Sequence, residues 1–133
     1  MKAMLDGFTL LLVDEDRVFA EVYGRYLSQA GAQVVYAQDA REALAVVKDQ
    51  DIDGIVSEVL LPGKNGLKLV KDLRALTSTH KTPVLFLTVV EAADVGLYHS
   101  LQESLGVGAY IVKQRTTPEE VVRVVADLVG AAA

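Results

Sequence analysis

The sequence predicts a doubly wound α/β domain, a five-stranded parallel sheet with five helices packed on its two faces. Three observations carry that expectation. Short apolar runs alternate with longer stretches of helical periodicity along the whole chain, each run is too short for a helix, and the connections are short. Strand-then-helix units impose right-handed crossovers, and 133 residues are too few for an eight-fold barrel, which leaves an open sheet.

The elements follow in order. Residues 8–13 (FTLLLV) form a near-continuous apolar run followed at once by three acids, as a strand covered on both faces requires. From Arg17, Val18, Val22 and Tyr26 run beside Phe19, Tyr23 and Leu27 at four-residue spacing until Gly31, which marks an amphipathic helix and its stop. Gln33–Ala37 (QVVYA) is a second strand; Asp39 with Glu42 is a capping box that starts a helix turning Leu44 and Val47 inward. Residues 53–57 (DGIVS) are a third strand, Leu61-Pro62-Gly63 breaks the chain, and Leu67, Val70, Leu73 and Leu76 mark a third helix.

Residues 83–87 (PVLFL) are a fourth strand. A fourth helix is expected within 91–105 from Leu97, Leu101 and Leu105, although Gly96 inside it costs about 1 kcal/mol relative to Ala. Residues 109–112 (AYIV) are a fifth strand. Thr117-Pro118-Glu119-Glu120 supplies a cap, a first-turn proline and a capping-box acid, and valines 121, 122, 124 and 125 complete a last helix ending near Gly130. No linker or internal repeat interrupts this alternation, so residues 1–133 read as one domain.

Composition narrows the function. The chain is 51% hydrophobic and has no cysteine, which excludes zinc fingers, thiol redox centres and cysteine nucleophiles and fits a reducing cytoplasm. No apolar run approaches the ~20 residues of a membrane helix, and residues 1–8 hold no signal-peptide core. Eighteen acids against 13 scattered cations give a net charge of −5, which argues against direct binding of nucleic acid. His80 and His99 lack ligand spacing and receive no role, and Tyr23 and Tyr98 read as helix-face residues.

Ligands of open parallel sheets sit beyond the carboxyl ends of the strands. There the sequence places Asp14, Glu15 and Asp16 after strand one, Glu58 after strand three, Thr88 after strand four and Lys113 after strand five. Asp14, Glu15 and Glu58 against Lys113 leave two negative charges, the charge of one divalent cation, and hard oxygen ligands select magnesium. With no metal, like-charge repulsion should raise the pKa of at least one carboxyl. Asp16 reads as a helix cap instead.

These residues carry a resemblance. VDED at 13–16, DGIVSEVLLPGKNG at 53–66, PVLFLT at 83–88 and AYIVK at 109–113 resemble, over nearly the whole chain, the receiver domain of bacterial two-component response regulators. The resemblance implies a flavodoxin-like fold with strand order 2-1-3-4-5, and a switch in which a sensor histidine kinase or phosphotransfer protein phosphorylates an aspartate. Glu58 stands at that phosphoacceptor position. By the same resemblance Asp14, Glu15, Glu58 and the Leu60 backbone carbonyl hold Mg2+, Thr88 and Lys113 contact the phosphoryl group, and Tyr110 changes rotamer, although Tyr110 equally fits core packing. The output would be a changed binding surface on the fourth helix, fifth strand and fifth helix, read by an effector protein, an attached output domain or a second copy of the chain. Catalysis is not expected.

The sequence also departs from the family's pattern. Glu58 adds one methylene to the aspartate, displacing its carboxylate by about 1.5 Å, against the ~2.0 to 2.1 Å geometry of magnesium. Gln114 stands where a cis-proline is usual, and the 88–106 segment is longer, with Val89 and Val90 after the threonine. Three readings of Glu58 stay open: a partial phosphoryl mimic, a phosphorylation-independent docking module, or an introduced Asp-to-Glu change in an ordinary receiver. A magnesium-dependent aspartyl-phosphate phosphohydrolase and a flavodoxin-like small-molecule binder are the rivals. The first lacks its usual threonine and cap domain, and the second would need an amide-rich rather than acidic first loop.

Overall fold

Alternate residues of the first strand serve two different cores. Leu10 and Leu12 pack with one hydrophobic cluster, Leu11 and Val13 with the other, and all four are at most 2% exposed. The computed structural model describes residues 3–91 and 95–133, the side chains of 95–99 excepted. The elements are β1 (Thr9–Val13), α1 (Arg17–Gln29), β2 (Gln33–Ala37), α2 (Ala40–Asp49), β3 (Gly54–Ser57), α3 (Gly66–Ala75), β4 (Val84–Thr88), α4 (Val95–Leu105), β5 (Val107–Val112) and α5 (Pro118–Ala132), with a 3-10 turn at Lys113–Arg115. The sheet is parallel throughout, in the order β2-β1-β3-β4-β5, and the expected fold class is observed.

Helices α1 and α5 cover one face. Ala20, Tyr23 and Leu27 meet Val121, Val125 and Val129 over Leu10, Leu12, Val56, Leu85 and Leu87. The opposite face packs Ala43 and Val47 of α2, Leu69, Val70 and Leu73 of α3 and Leu101 of α4 against Leu11, Val13, Ile55, Val84 and Phe86. Because strand side chains alternate, one apolar run feeds both layers, which is why the inner strands β1, β3 and β4 lack a polar face.

The caps read from sequence are formed. Asp16 accepts from the Phe19 N–H, Asp39 from Glu42 and Thr117 from Glu120, each satisfying a first-turn donor. Asn65 does the same for Lys68 at the start of α3. Some boundaries differ from expectation. β5 starts at Val107 rather than 109, because Val107 pairs with Val84 of β4 and the register shifts past Gly108 before Ala109 pairs with Leu85. Gly130 does not end α5, which continues to Ala132 with the Ala133 N–H bonded to the Val129 carbonyl. Leu44 is only half-buried, the inward face of α2 being Ala40, Ala43 and Val47. Leu97, Tyr98 and His99 lie outside the described side chains.

One close approach sets the position of the candidate site. A Cβ on Gly66 would lie 2.6 Å from the Glu58 carbonyl oxygen and 2.9 Å from the Val59 Cα, so only glycine lets α3 begin against the end of β3. The Gly66 N–H also donates to the Val59 carbonyl, at 2.7 Å.

Candidate functional site

The carboxyl ends of β1, β3, β4 and β5 deliver Asp14, Glu58, Thr88 and Lys113 to one place. Register is the cause: Val13 pairs with Ser57 across β1 and β3, and Thr88 with Val112 across β4 and β5, so the residue at or after each strand end shares one rim of the sheet. Lys113 Nζ donates to Asp14 Oδ2 at 2.7 Å and lies 3.0 Å from Glu58 Oε2. The two acids are buried and the lysine is largely so, with side chains 5% exposed for each acid and 10% for the lysine.

Glu58 is saturated by donors of the protein itself. Its Oε1 accepts from the Thr88 hydroxyl and from the backbone N–H groups of Val59 (2.8 Å) and Leu60 (3.2 Å). Its Oε2 meets Lys113 and accepts the Val89 N–H at 3.3 Å. Asp14 is equally engaged, since its Oδ1 accepts the Asp16 N–H at 2.8 Å. Among the described residues no buried side-chain polar atom lacks a partner.

The electrostatics follow from those bonds. Burial pushes the Glu58 carboxyl up, but the hydrogen bonds from Thr88, the Leu60 N–H and Lys113, with the lysine's charge, outweigh it and hold the carboxyl below its ordinary value. The raised carboxyl expected of a metal-free site is therefore not found at Glu58, because the hydrogen bonds from Thr88, the Leu60 N–H and Lys113 outweigh burial. Lys113 shows the mirror image: burial lowers it, while bonds to Asp14 and Glu58 raise it more.

The loop after β4 is gripped at successive residues. The Tyr110 hydroxyl donates to the Val90 carbonyl at 2.7 Å, the Gln114 amide to the Val89 carbonyl at 2.9 Å, and Arg115 pairs with Glu91 at 3.0 Å. The Val90 N–H returns to the Thr88 hydroxyl oxygen at 3.1 Å. Tyr110 also packs edge-on against Phe86, at 6.2 Å between ring centroids, so its ring serves the core while its hydroxyl holds the loop. Burial, with Glu58 and Glu91 nearby, raises its phenol pKa.

Of the residues expected at the site, Asp14, Glu58, Thr88 and Lys113 converge. Leu60 contributes its N–H, and Tyr110 reaches the adjoining loop. Glu15 is exposed, as is the cap Asp16. Among the described residues no three His, Asp or Glu side chains gather as a metal would need. Both Glu58 oxygens and both Asp14 oxygens already accept bonds from the protein. An ion would compete with Lys113 for the same oxygens. Sequence reasoning missed Phe19, whose ring lies 3.9 Å from Lys113 Nζ, and missed the grip of Gln114 on Val89. For Phe19 the available signal was its place on the inward row of α1, directly after the acidic loop.

Comparison with known proteins places this geometry. The family model described as response regulator receiver domain matches residues 10–126. The chain is 36% identical over 119 residues to the transcriptional regulatory protein CpxR of Escherichia coli (strain K12), covering 90% of this chain and 48% of that protein. It thus spans about half the length of the curated relatives it matches. Among solved structures, the chemotaxis response regulator CheY4 of Vibrio cholerae superposes with a TM-score of 0.80 at 28% identity, covering 91% of this chain and 98% of that one. The receiver domain of sensor histidine kinase PA1611 from Pseudomonas aeruginosa PAO1, solved with a magnesium ion in its active site cleft, gives 0.80 at 25% identity, covering 93% and 98%. The chain belongs to the response regulator receiver domain family.

Proposed function

We propose that Glu58 occupies the phosphoacceptor position of this receiver and acts as a built-in partial phosphoryl mimic. The observation that carries the reading is the double engagement of one carboxylate: Oε1 takes the Thr88 hydroxyl, and Oε2 takes Lys113 and the Val89 N–H. By the family resemblance, Thr88 and Lys113 are the groups that a phosphoryl on a shorter aspartate would meet. The magnitudes limit the mimicry. A phosphoryl group brings roughly −1.5 to −2 charge and three strong acceptors, whereas Glu58 offers one charge and two oxygens. A full switch from 1:99 to 99:1 needs about 5.5 kcal/mol, so about half of it leaves nearly equal populations.

In this reading the protein performs no catalysis of its own. Magnesium binding is weakened, because the ion must displace Lys113 from oxygens already satisfied. The domain works in the cytoplasm, its partners being a sensor histidine kinase or phosphotransfer protein and an output domain or effector, as the relationship to a transcriptional regulator supports. A purely docking receiver and an introduced Asp-to-Glu change remain the alternatives; the direct Glu58–Thr88 bond favours the mimic over a site simply retired.

Two measurements test it. Intact mass after incubation with a small phosphodonor and magnesium should show no gain; one phosphoryl group mapped to Glu58 refutes the loss of chemistry. Spectra of Thr88 and Tyr110 should show two exchanging states that collapse towards one in E58Q. A single state unchanged by E58Q contradicts partial mimicry.

A further inference from the structure

We propose that Phe19 is a positioning residue for the Lys113 ammonium, its ring closing the side of the amine that Asp14 and Glu58 leave open. An ammonium has three donors. Asp14 Oδ2 at 2.7 Å and Glu58 Oε2 at 3.0 Å take two, and among the described residues no third oxygen accepts from Lys113. The lysine side chain is only 10% exposed, which limits the access of bulk water to the remaining N–H. Phe19 stands in that place: Nζ lies 3.9 Å from the ring centroid, well inside the ~6 Å range over which the negative face of an aromatic ring attracts a cation.

The ring is itself held. Asp16 caps α1 by accepting the Phe19 N–H at 3.0 Å, which fixes the backbone of the first turn. One turn on, Tyr23 stacks against Phe19 with centroids 4.3 Å apart and planes 19° apart, and Tyr23 is buried between α1 and α5. Asp14, Asp16 and Phe19 thus form one short unit. The first supplies a carboxylate to Lys113, the second starts the helix, and the third lays a ring over the amine. Phe19 keeps the ammonium on the line between the two carboxylates, and through Glu58 it steadies Thr88 and the loop behind it. This role deepens the proposed switch and rests on it only in so far as Lys113 is the cation that Glu58 engages.

The test reads Lys113 itself, in protein carrying 15N-labelled lysine. Solvent exchange of the Lys113 ammonium protons is measured with Phe19, with pentafluorophenylalanine at position 19, in F19L and in F19W. Pentafluorophenylalanine keeps the ring's shape and reverses the sign of its face, so a steric plug and an attracting face separate. We expect exchange about 2- to 30-fold faster with the fluorinated ring, comparable or faster in F19L, and slow again in F19W, with cooperative melting in the fluorinated protein. Wild-type exchange with the fluorinated ring, whether or not F19L changes it, overturns the proposal. A phosphoryl group found on Glu58 would overturn the mimic reading and leave this result standing.

Discussion

Lys113 Nζ lies 3.0 Å from Glu58 Oε2, and that contact ties the end of β5 to the end of β3 across the rim of the sheet. The same ammonium holds Asp14, so one cation balances two buried acids. Removing one partner of such a group leaves an uncompensated charge, which costs more than the intact pair contributes. K113M should destabilise the domain by about 3 kcal/mol, measured by urea unfolding, and D14N in that background should recover part of the loss. Additive losses from K113M and D14N would show that the two do not interact.

E58Q keeps the shape and removes the charge. The Thr88 hydroxyl and three backbone N–H groups lose an anionic acceptor, and Lys113 is left to Asp14 alone. We expect a loss of about 1 to 3 kcal/mol and chemical-shift changes at Val89 and Val90. Shifts confined to Val59 and Leu60 would mean that Glu58 does not reach the loop after β4.

The pH dependence has a definite sign. The folded Glu58 pKa lies below the ordinary glutamate value of about 4.3. Its contribution is therefore complete above that pH and lost as pH falls through the lowered value. The folded Lys113 pKa lies above the ordinary lysine value of about 10.4, so its contribution is complete below that pH and lost as pH rises past the raised value. The stability difference between wild type and E58Q should be flat from about pH 5 to 9 and shrink below about pH 4. A difference that widens on acidification would reverse the assigned shift.

Away from the site, Arg74 donates to the carbonyls of Leu105, Gly106, Thr79 and Thr82, joining the end of α4 to the turn before β4. A planar five-donor fork can serve these acceptors, and a lysine cannot. R74K should cost about 2 kcal/mol in unfolding free energy while leaving the Lys113 and Thr88 signals in place. Movement of those signals would show that this joint couples to the site.

The Gln114 clasp predicts a local effect. Q114A removes the side-chain donor to the Val89 carbonyl, leaving Tyr110 on Val90 and Arg115 on Glu91. Amide exchange at Val89 and Val90 should quicken about 3- to 10-fold, in keeping with the ~1 kcal/mol net worth of one hydrogen bond, with global stability nearly unchanged. No change in exchange would show that the other two contacts suffice to hold the loop.

What the sequence by itself determined was the order of elements, the helix starts at Asp16, Asp39 and Thr117, and the set of polar residues at the strand ends. Those are local matters: a period of two or of 3.6, a side-chain oxygen facing its own first turn, an acid directly after an apolar run. Only the tertiary structure decided that Lys113 bridges Asp14 and Glu58, that Glu15 stays in solvent, and that Phe19 lies over the amine. The physical reason is that each of these depends on how one strand or helix is set against another. Adjacent residues such as Asp14 and Glu15 differ entirely in environment because successive side chains leave the end of a strand in opposite directions, and no local pattern records which one meets a lysine from β5.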